Sequence, residues 1–450
     1  MTDRAANRSQ LSLNQEFLCA MDQGETAGAL SHWYTVTYGL RLTGDVDVGA
    51  LQGALDDVVA RHEILRTSLV REAERWYQEI DPPSPVNLLV RDQRAVTFRS
   101  RDLRAQQLLN DAEAGPFSVR DLPLLRAVLG RFGGNDSVLA LTTHHIASDA
   151  WSMQLIIRDL AVFYAARRGH HPPELPDACQ YRDFAAWQRR NSDSAAEVAR
   201  RYWREKVRGG QIFTVPTDRV PPAGSADPYS VHRFLIDAEL AATTAKFAKS
   251  MRSSLFIALL AAYNLLACQR TGTADLVVPT YTSGRSEARF RDAVGPFFNF
   301  LPIRTDITGC ASFRDVVERT RASCLEAYAN DIPFAHIEAE AGDLMRPPAD
   351  GNLAVAAFEM LPPPALARGE RAGDIMYAEI RDRRLSQPVG ASTPNGMLWA
   401  LDRLRSGEIF GTVRFSRDRF DEGTITALVA EYRRVLRASV TEPAARIPPP

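Results

Sequence analysis

Apolar residues return at helical spacing soon after the start of the chain. Leu51, Leu55, Val58 and Val59, with His62 on the same stripe, follow the i, i+4, i+7, i+8 pattern of one buried helix face. The spacing predicts a helix from about Asp47 that leads into RHEILRTSLV. From Asp136 the pattern changes to a nearly continuous apolar run, VLALTT, bounded by Gly133, Gly134 and Asn135, as expected of a central strand. His144 and His145 sit just past it. Beyond Asp149 helical spacing resumes in Met153, Ile156, Ile157, Leu160, Phe163 and Tyr164, with Gln154, Arg158 and Asp159 between them. The two histidines are therefore predicted in a strand-to-helix loop. The segment GGNDS (133 to 137) ahead of the strand reads as a hairpin turn.

The stretch Ala165 to Asp177, AARRGHHPPELPD, is rich in charge and proline, and proline interrupts helices and inner strands alike. A boundary placed there gives regions 1–175 and 176–450. The second region predicts a helix ending at Gly209-Gly210, a Pro/Gly-rich stretch from Pro216 to Pro228, and a strand near Phe234 to Ile236. Helices near Glu239 to Ser250 and Leu255 to Gln269 follow, with Ser253 as the cap of the second. LVVPTYTS and FFNFLPIRTDI read as buried strands, and Pro362 to Pro364 and the terminal PPP as loop and tail. Helices alternate with strands in both regions, which predicts an α/β protein of two layered lobes.

Composition narrows the chemistry. Lys and Arg total 54 against 55 Asp and Glu, so the overall charge gives no reason to expect nucleic acid or an anionic membrane as partner. The N-terminal MTDRAANRSQ lacks an apolar core, and the apolar run Leu255 to Cys268 falls short of the roughly 20 residues a membrane helix needs. The five cysteines are odd in number and without CxxC spacing. A soluble protein of the reducing cytoplasm is expected. No GxxxxGK[ST] phosphate loop occurs, so no nucleotide site is expected.

HHIASDAWS (144 to 152) carries the candidate chemistry. An imidazole that titrates near neutral pH can take a proton from an attacking amine or hydroxyl, and Asp149 can orient the loop. Taken alone, two histidines and an aspartate leave structural, zinc-binding and catalytic roles open, although the zinc reading lacks a clear third and fourth ligand.

HHIASDAWS resembles the HHxxxDG motif of the condensation domains of nonribosomal peptide synthetases. LSLNQEFL, RHEILRT, YRDFAAWQ, VGPFFNFLPIR, NDIPFAHI and the closing RFSRDRFDEGTITALVAEYRRVL resemble further motifs of that family, in its order and over essentially the whole chain. The resemblance implies two chloramphenicol-acetyltransferase-like lobes forming a V, with a tunnel between them. It implies that His145 is catalytic, as general base or by orienting and stabilising the tetrahedral intermediate, and that His144 supports the loop. Asp149 would pair with an arginine of the other lobe, for which Arg285 is the candidate. The motif glycine is Ala150 here, implying a slightly narrower passage with intact chemistry.

The resemblance further implies an acyltransferase that forms amides or esters in natural-product biosynthesis. Its donor would arrive on the phosphopantetheine arm of a separate carrier protein, since one condensation unit accounts for the 450 residues. The acceptor would be carrier-bound or a free small molecule, with no cofactor or metal bound directly. Two other readings stand beside it: an HHxxxDG O-acyltransferase using acyl-CoA or polyketide chains, and a non-catalytic recruitment module.

Overall fold

The structure is a computed structural model of the chain. It describes residues 7–447 except 23, 25–27, 74, 95–96, 98–99, 221–228, 343, 345–351, 362–368 and 394–395, and no side chains of 192–195. The second part of the Pro216–Pro228 stretch, Pro362 to Pro364 and the terminal prolines thus lie outside the described residues.

The chain divides into two compact units. The first comprises Met1–Arg190, Ser283–Phe298 and Pro362–Pro394, the second Asn191–Thr282, Asn299–Leu361 and Asn395–Pro450. A single cut at 175/176 does not describe this arrangement. The proline-rich Ala165–Asp177 stretch lies inside the first unit, and the division falls within the long helix Tyr181–Lys206. Proline interrupts a helix, but which unit a segment joins is decided by what it packs against.

The first unit is built on a six-stranded sheet in the order Glu370–Ala372, Ile375–Ile380, Thr35–Thr43, Asp136–His144, Leu125–Gly133 and Asn87–Asp92. All its pairs are antiparallel except the last. The central strand Asp136–His144 is covered on both faces. Leu139 and Leu141 join the main core with the helices Val48–Arg61 and Ala150–Arg167, while Val138 and Ala140 meet Leu108 and Leu109 of the helix Arg101–Ala114. Burial on both faces explains why this strand is almost continuously apolar instead of alternating. The turn at Gly133 and Gly134 has φ values of 87° and 60°, a left-handed backbone that glycine adopts without strain, and it closes the predicted hairpin. Asp47 and Asp149 cap the two core helices, accepting hydrogen bonds from Ala50 N–H at 2.8 Å and Ser152 N–H at 2.7 Å.

The second unit contains a five-strand run in the order Tyr229–Ile236, Ile409–Ser416, Met397–Arg403, Leu353–Met360 and Thr214–Pro216. Asn299–Asp306, Asp275–Thr282 and Gln211–Ile212 form a second sheet. The helix Leu255–Thr271 is buried continuously from Ile257 to Cys268, so it is the core helix its composition predicts. Its cap is Ser254, not Ser253. Ser254 has an extended backbone and accepts from Ile257 N–H at 3.2 Å, whereas Ser253 N–H bonds back to Ala248 and completes the preceding helix. Among the described residues, no single helix is long and apolar enough to cross a membrane.

Candidate active site

The histidine loop lies entirely within the first unit. His144 is the last residue of the central strand rather than the first of the loop, and His145 begins the turn that leads to the helix at Ala150. Their surroundings separate their roles. His144 is fully buried, and both of its ring nitrogens are engaged: Nδ1 accepts from Ile146 N–H at 3.2 Å, which leaves Nε2–H to donate to the Ser31 carbonyl at 3.0 Å. Burial pushes its imidazole down to about 3, so it stays neutral and acts as a brace.

His145 is only partly buried. Its Nδ1 lies 2.7 Å from the Ser148 carbonyl, an acceptor that requires a proton on Nδ1. In the neutral ring the basic lone pair therefore belongs to Nε2. The ring stacks on Tyr34 with centroids 4.7 Å apart and meets Phe298 edge-on at 4.7 Å. Its backbone N–H donates to the Tyr34 carbonyl at 2.8 Å. Orientation and tautomer are thus set by the loop itself together with two aromatic neighbours.

Asp149 anchors the far end of the loop. Besides capping the helix, it accepts from Phe297 N–H at 3.1 Å and from Arg285 Nη2 at 3.1 Å to Oδ1 and 3.4 Å to Oδ2. Arg285 in turn donates to the carbonyls of Phe290 and Ala293 and to Ser152 Oγ, with its guanidinium 3.9 Å from the Phe297 ring centre. A buried charge needs such partners, because an unpaired one costs several kcal/mol. The resemblance implied that Arg285 would belong to the other lobe. Instead, Ser283–Phe298 packs as part of the first unit, so the ion pair is internal to it.

Four sequence motifs meet around this pair. Ser152 Oγ donates to the Gly295 carbonyl at 2.8 Å and accepts from Gly295 N–H at 3.0 Å. A Cβ built on Gly295 would lie 2.0 Å from Tyr181 Cδ2, so the close approach of that ring requires glycine. The Tyr181 hydroxyl donates to the Pro296 carbonyl at 3.1 Å and is 2.8 Å from Ser12 Oγ, the cap of the helix Leu13–Ala20. Asn14 Nδ2 reaches the Phe298 carbonyl at 2.8 Å. RHEILRT supplies a second buried network behind the loop, in which His62 Nε2 is 2.8 Å and Arg61 Nε 2.9 Å from Asp159 Oδ2. NDIPFAHI lies in the second unit, where Asn299 Nδ2 bonds Asp331 Oδ1 at 2.6 Å.

Sequence reading missed Ser31, Tyr34, Ser148 and Phe298, and assigned no part to Ser152 or Tyr181. Ser152 stood in the motif, and its position three residues after the capping aspartate was the available signal. Ser31 and Ser148 act through backbone carbonyls, which no side-chain pattern reveals. Ala150 occupies the first helical position, where a methyl group meets no backbone strain, and its carbonyl lies 3.4 Å from the Tyr38 hydroxyl.

The condensation-domain family model matches residues 20–353. The chain belongs to the condensation-domain family. Condensation domains generally catalyse amide-bond formation in nonribosomal peptide synthesis and work with carrier proteins. The chain is 32% identical over 98% of its length to chondramide synthase of Chondromyces crocatus, of which the match covers only 11%. It thus spans about a tenth of the length of that curated relative. Among solved structures it is similar to the SgcC5 protein of Streptomyces globisporus, in complex with (R)-(-)-1-(2-naphthyl)-1,2-ethanediol and sucrose. That match has a TM-score of 0.93 and 42% identity, covering 97% of this chain and 100% of the other. The X-domain from teicoplanin biosynthesis matches with a TM-score of 0.77 and 26% identity, covering 99% and 96% of the two chains. A second structure of that domain is a complex with OxyB. The fold is the chloramphenicol-acetyltransferase-like fold of these domains.

Proposed function

We propose that this chain is a condensation enzyme acting in trans, which moves an acyl or aminoacyl group from the phosphopantetheine thioester of a separate carrier protein to a hydroxyl or amine. The observation that carries this reading is the tautomer of His145: Nδ1–H is held by the Ser148 carbonyl at 2.7 Å, so Nε2 presents the lone pair. In the proposed step the acceptor oxygen or nitrogen attacks the thioester carbonyl. Nε2 takes the acceptor's proton, the C–O or C–N bond forms, and the C–S bond breaks with the proton passing to the leaving thiolate. His144 braces the loop, and the Asp149–Arg285 pair keeps it in place without touching the reactants. The diol held by the 42% identical relative supports a vicinal diol as acceptor, and hence an ester product.

A second reading, a recruitment module, is favoured by the X-domain held in complex with OxyB. Intact-mass spectrometry separates the two. Acyl-loaded carrier proteins incubated with the chain and a panel of aryl diols and amines should lose the acyl mass as an ester or amide appears. No transfer from any carrier, or equal use of acyl-CoA, would overturn the proposal.

A further inference from the structure

The six-stranded sheet of the first unit ends at Asn87–Asp92, which pairs in parallel with Leu125–Gly133 on one side and, among the described residues, with no strand on the other. The outer edge of a sheet presents unpaired N–H and C=O groups, and proteins usually guard it with charge, proline or a covering element. Here the charges stand only at the end of the strand, where both are already engaged. Arg91 lies 3.6 Å from Asp111, and Asp92 accepts from Arg94 Nε at 2.8 Å. The middle of the strand is apolar and open: Leu89 and Val90, adjacent in the chain, are 48% and 46% exposed.

Successive side chains of a strand point to opposite faces of the sheet. Leu88 packs against the main core, so Val90 shares that face, while Leu89 shares with Arg91 the face of the helix Arg101–Ala114, which carries Asp111. A helix docked on one face would cover one of the two exposed residues and leave the other in water. A strand added to the edge covers both and pairs the backbone as well.

Symmetry and charge make the strand complementary to itself. A two-fold axis perpendicular to the sheet reverses strand direction but keeps each side chain on its own face, so a residue stands opposite either its own copy or one an even number of positions away. Centred on Leu89, the axis sets Leu89 against its own copy, Leu88 against Val90, and the Asn87 amide against Arg91. Centred on Val90, it would set Leu88 against Asp92 and Leu89 against Arg91, and centred on Arg91 it would oppose like charges. Centred on Leu88, it would leave Val90 to Asp92 beyond the partner's strand.

We infer that this edge joins two copies of the chain, antiparallel about an axis at Leu89, so that their six-stranded sheets become one continuous sheet. The contact is independent of the proposed acyl transfer. One strand pair buries less than a standard interface, so the dimer belongs to the weak, transient class, with a dissociation constant of roughly 10–100 µM.

Sedimentation velocity on the full chain at roughly 5 to 300 µM should show a reversible monomer–dimer equilibrium. Leu89→Lys sets two like charges opposite one another at an exposed position, so the fold should persist while the dissociation constant rises by roughly tenfold or more. Met376→Lys, at a residue 38% exposed in the strand Ile375–Ile380, should leave the equilibrium unchanged. Under mild oxidation Leu89→Cys should link to its own copy faster than Val90→Cys, because only residue 89 faces itself across the axis. A monomer at every concentration, a dimer that Leu89→Lys leaves intact, or faster linkage at position 90 than at 89 would overturn the inference.

Discussion

The loop around Asp149 and the aromatic core around Tyr263 are both closed to water, yet they are held by opposite means. In the first unit, Asp149, Ser152 and Arg285 exchange directional hydrogen bonds with each other and with the backbone at Phe290, Ala293, Gly295 and Phe297. In the second, Tyr263 packs against Phe358, Trp399 and Tyr432 with ring centres 4.7, 5.5 and 6.0 Å apart, and Tyr432 makes one hydrogen bond, to the Leu259 carbonyl at 3.1 Å. Burial raises the pKa of both phenols, so they stay protonated and act as large apolar groups. Ring packing supplies stability with some tolerance in angle, whereas hydrogen bonds to a buried ion fix position to a fraction of an ångström. The comparison suggests a division of labour: aromatic burial holds the fold, and the polar cluster holds the geometry of His145.

The sharpest test of that division is His145 itself. Replacing it with alanine is expected to lower single-turnover acyl transfer by roughly 10²–10⁴-fold, the usual contribution of a positioned base, with an unchanged urea midpoint. His145→Gln separates the two possible roles, because partial activity is expected if the residue orients the intermediate and none beyond alanine if it takes the proton. A folded alanine variant with full transfer activity would remove His145 from the proposed reaction.

Next come two substitutions of comparable thermodynamic size. Trp399→Ala should cost about 3–5 kcal/mol by opening a cavity in the aromatic core. Arg285→Ala should cost about 3–5 kcal/mol by leaving the Asp149 carboxylate without its cation. Denaturant unfolding should find them alike, while turnover per folded molecule should fall only for Arg285→Ala. Equal turnover in both would erase the contrast drawn here.

Gly295→Ala places a methyl group against the Tyr181 ring and should cost about 1–3 kcal/mol through overpacking, less in a Tyr181→Leu background. That rescue, read as non-additivity in a double-mutant cycle, checks the contact directly.

The last effect is one of pH. His144 has a folded pKa of about 3 against an ordinary value of 6.5, so the unfolded chain binds the extra proton between those limits. Its contribution to stability is present in full above pH 6.5. It is lost progressively as pH falls toward 3, at up to about 1.4 kcal/mol per pH unit. His62, whose pKa is also lowered chiefly by burial, adds in the same direction. Urea unfolding between pH 6.5 and 5, above the main carboxylate range, should show this slope, and His144→Gln should flatten it.

Much of this was already in the sequence. Helical spacing after Asp47 and Asp149 and the apolar run before His144 are local, and periodicity records them. The order of the motifs identified the family and the histidine loop. The sequence also separated Asp149 and Arg285 from other charged residues, but only through that resemblance, since nothing in the spacing of residues 136 positions apart indicates contact. Ser254 against Ser253 shows the limit at close range: two adjacent serines are equivalent caps by composition, and the end of the preceding helix chose between them.

Tertiary structure alone decided the rest. The tautomer of His145 follows from the Ser148 carbonyl, and the neutrality of His144 from full burial against Ser31. The return of Ser283–Phe298 to the first unit, and the need for glycine at 295, follow from an arginine and a tyrosine ring brought close by folding. In each case the decisive partner is a backbone atom, an ion or a ring placed by the fold. One-dimensional pattern records which side chains seek burial, but a hydrogen bond or a steric contact exists only where two groups arrive at the same point in space.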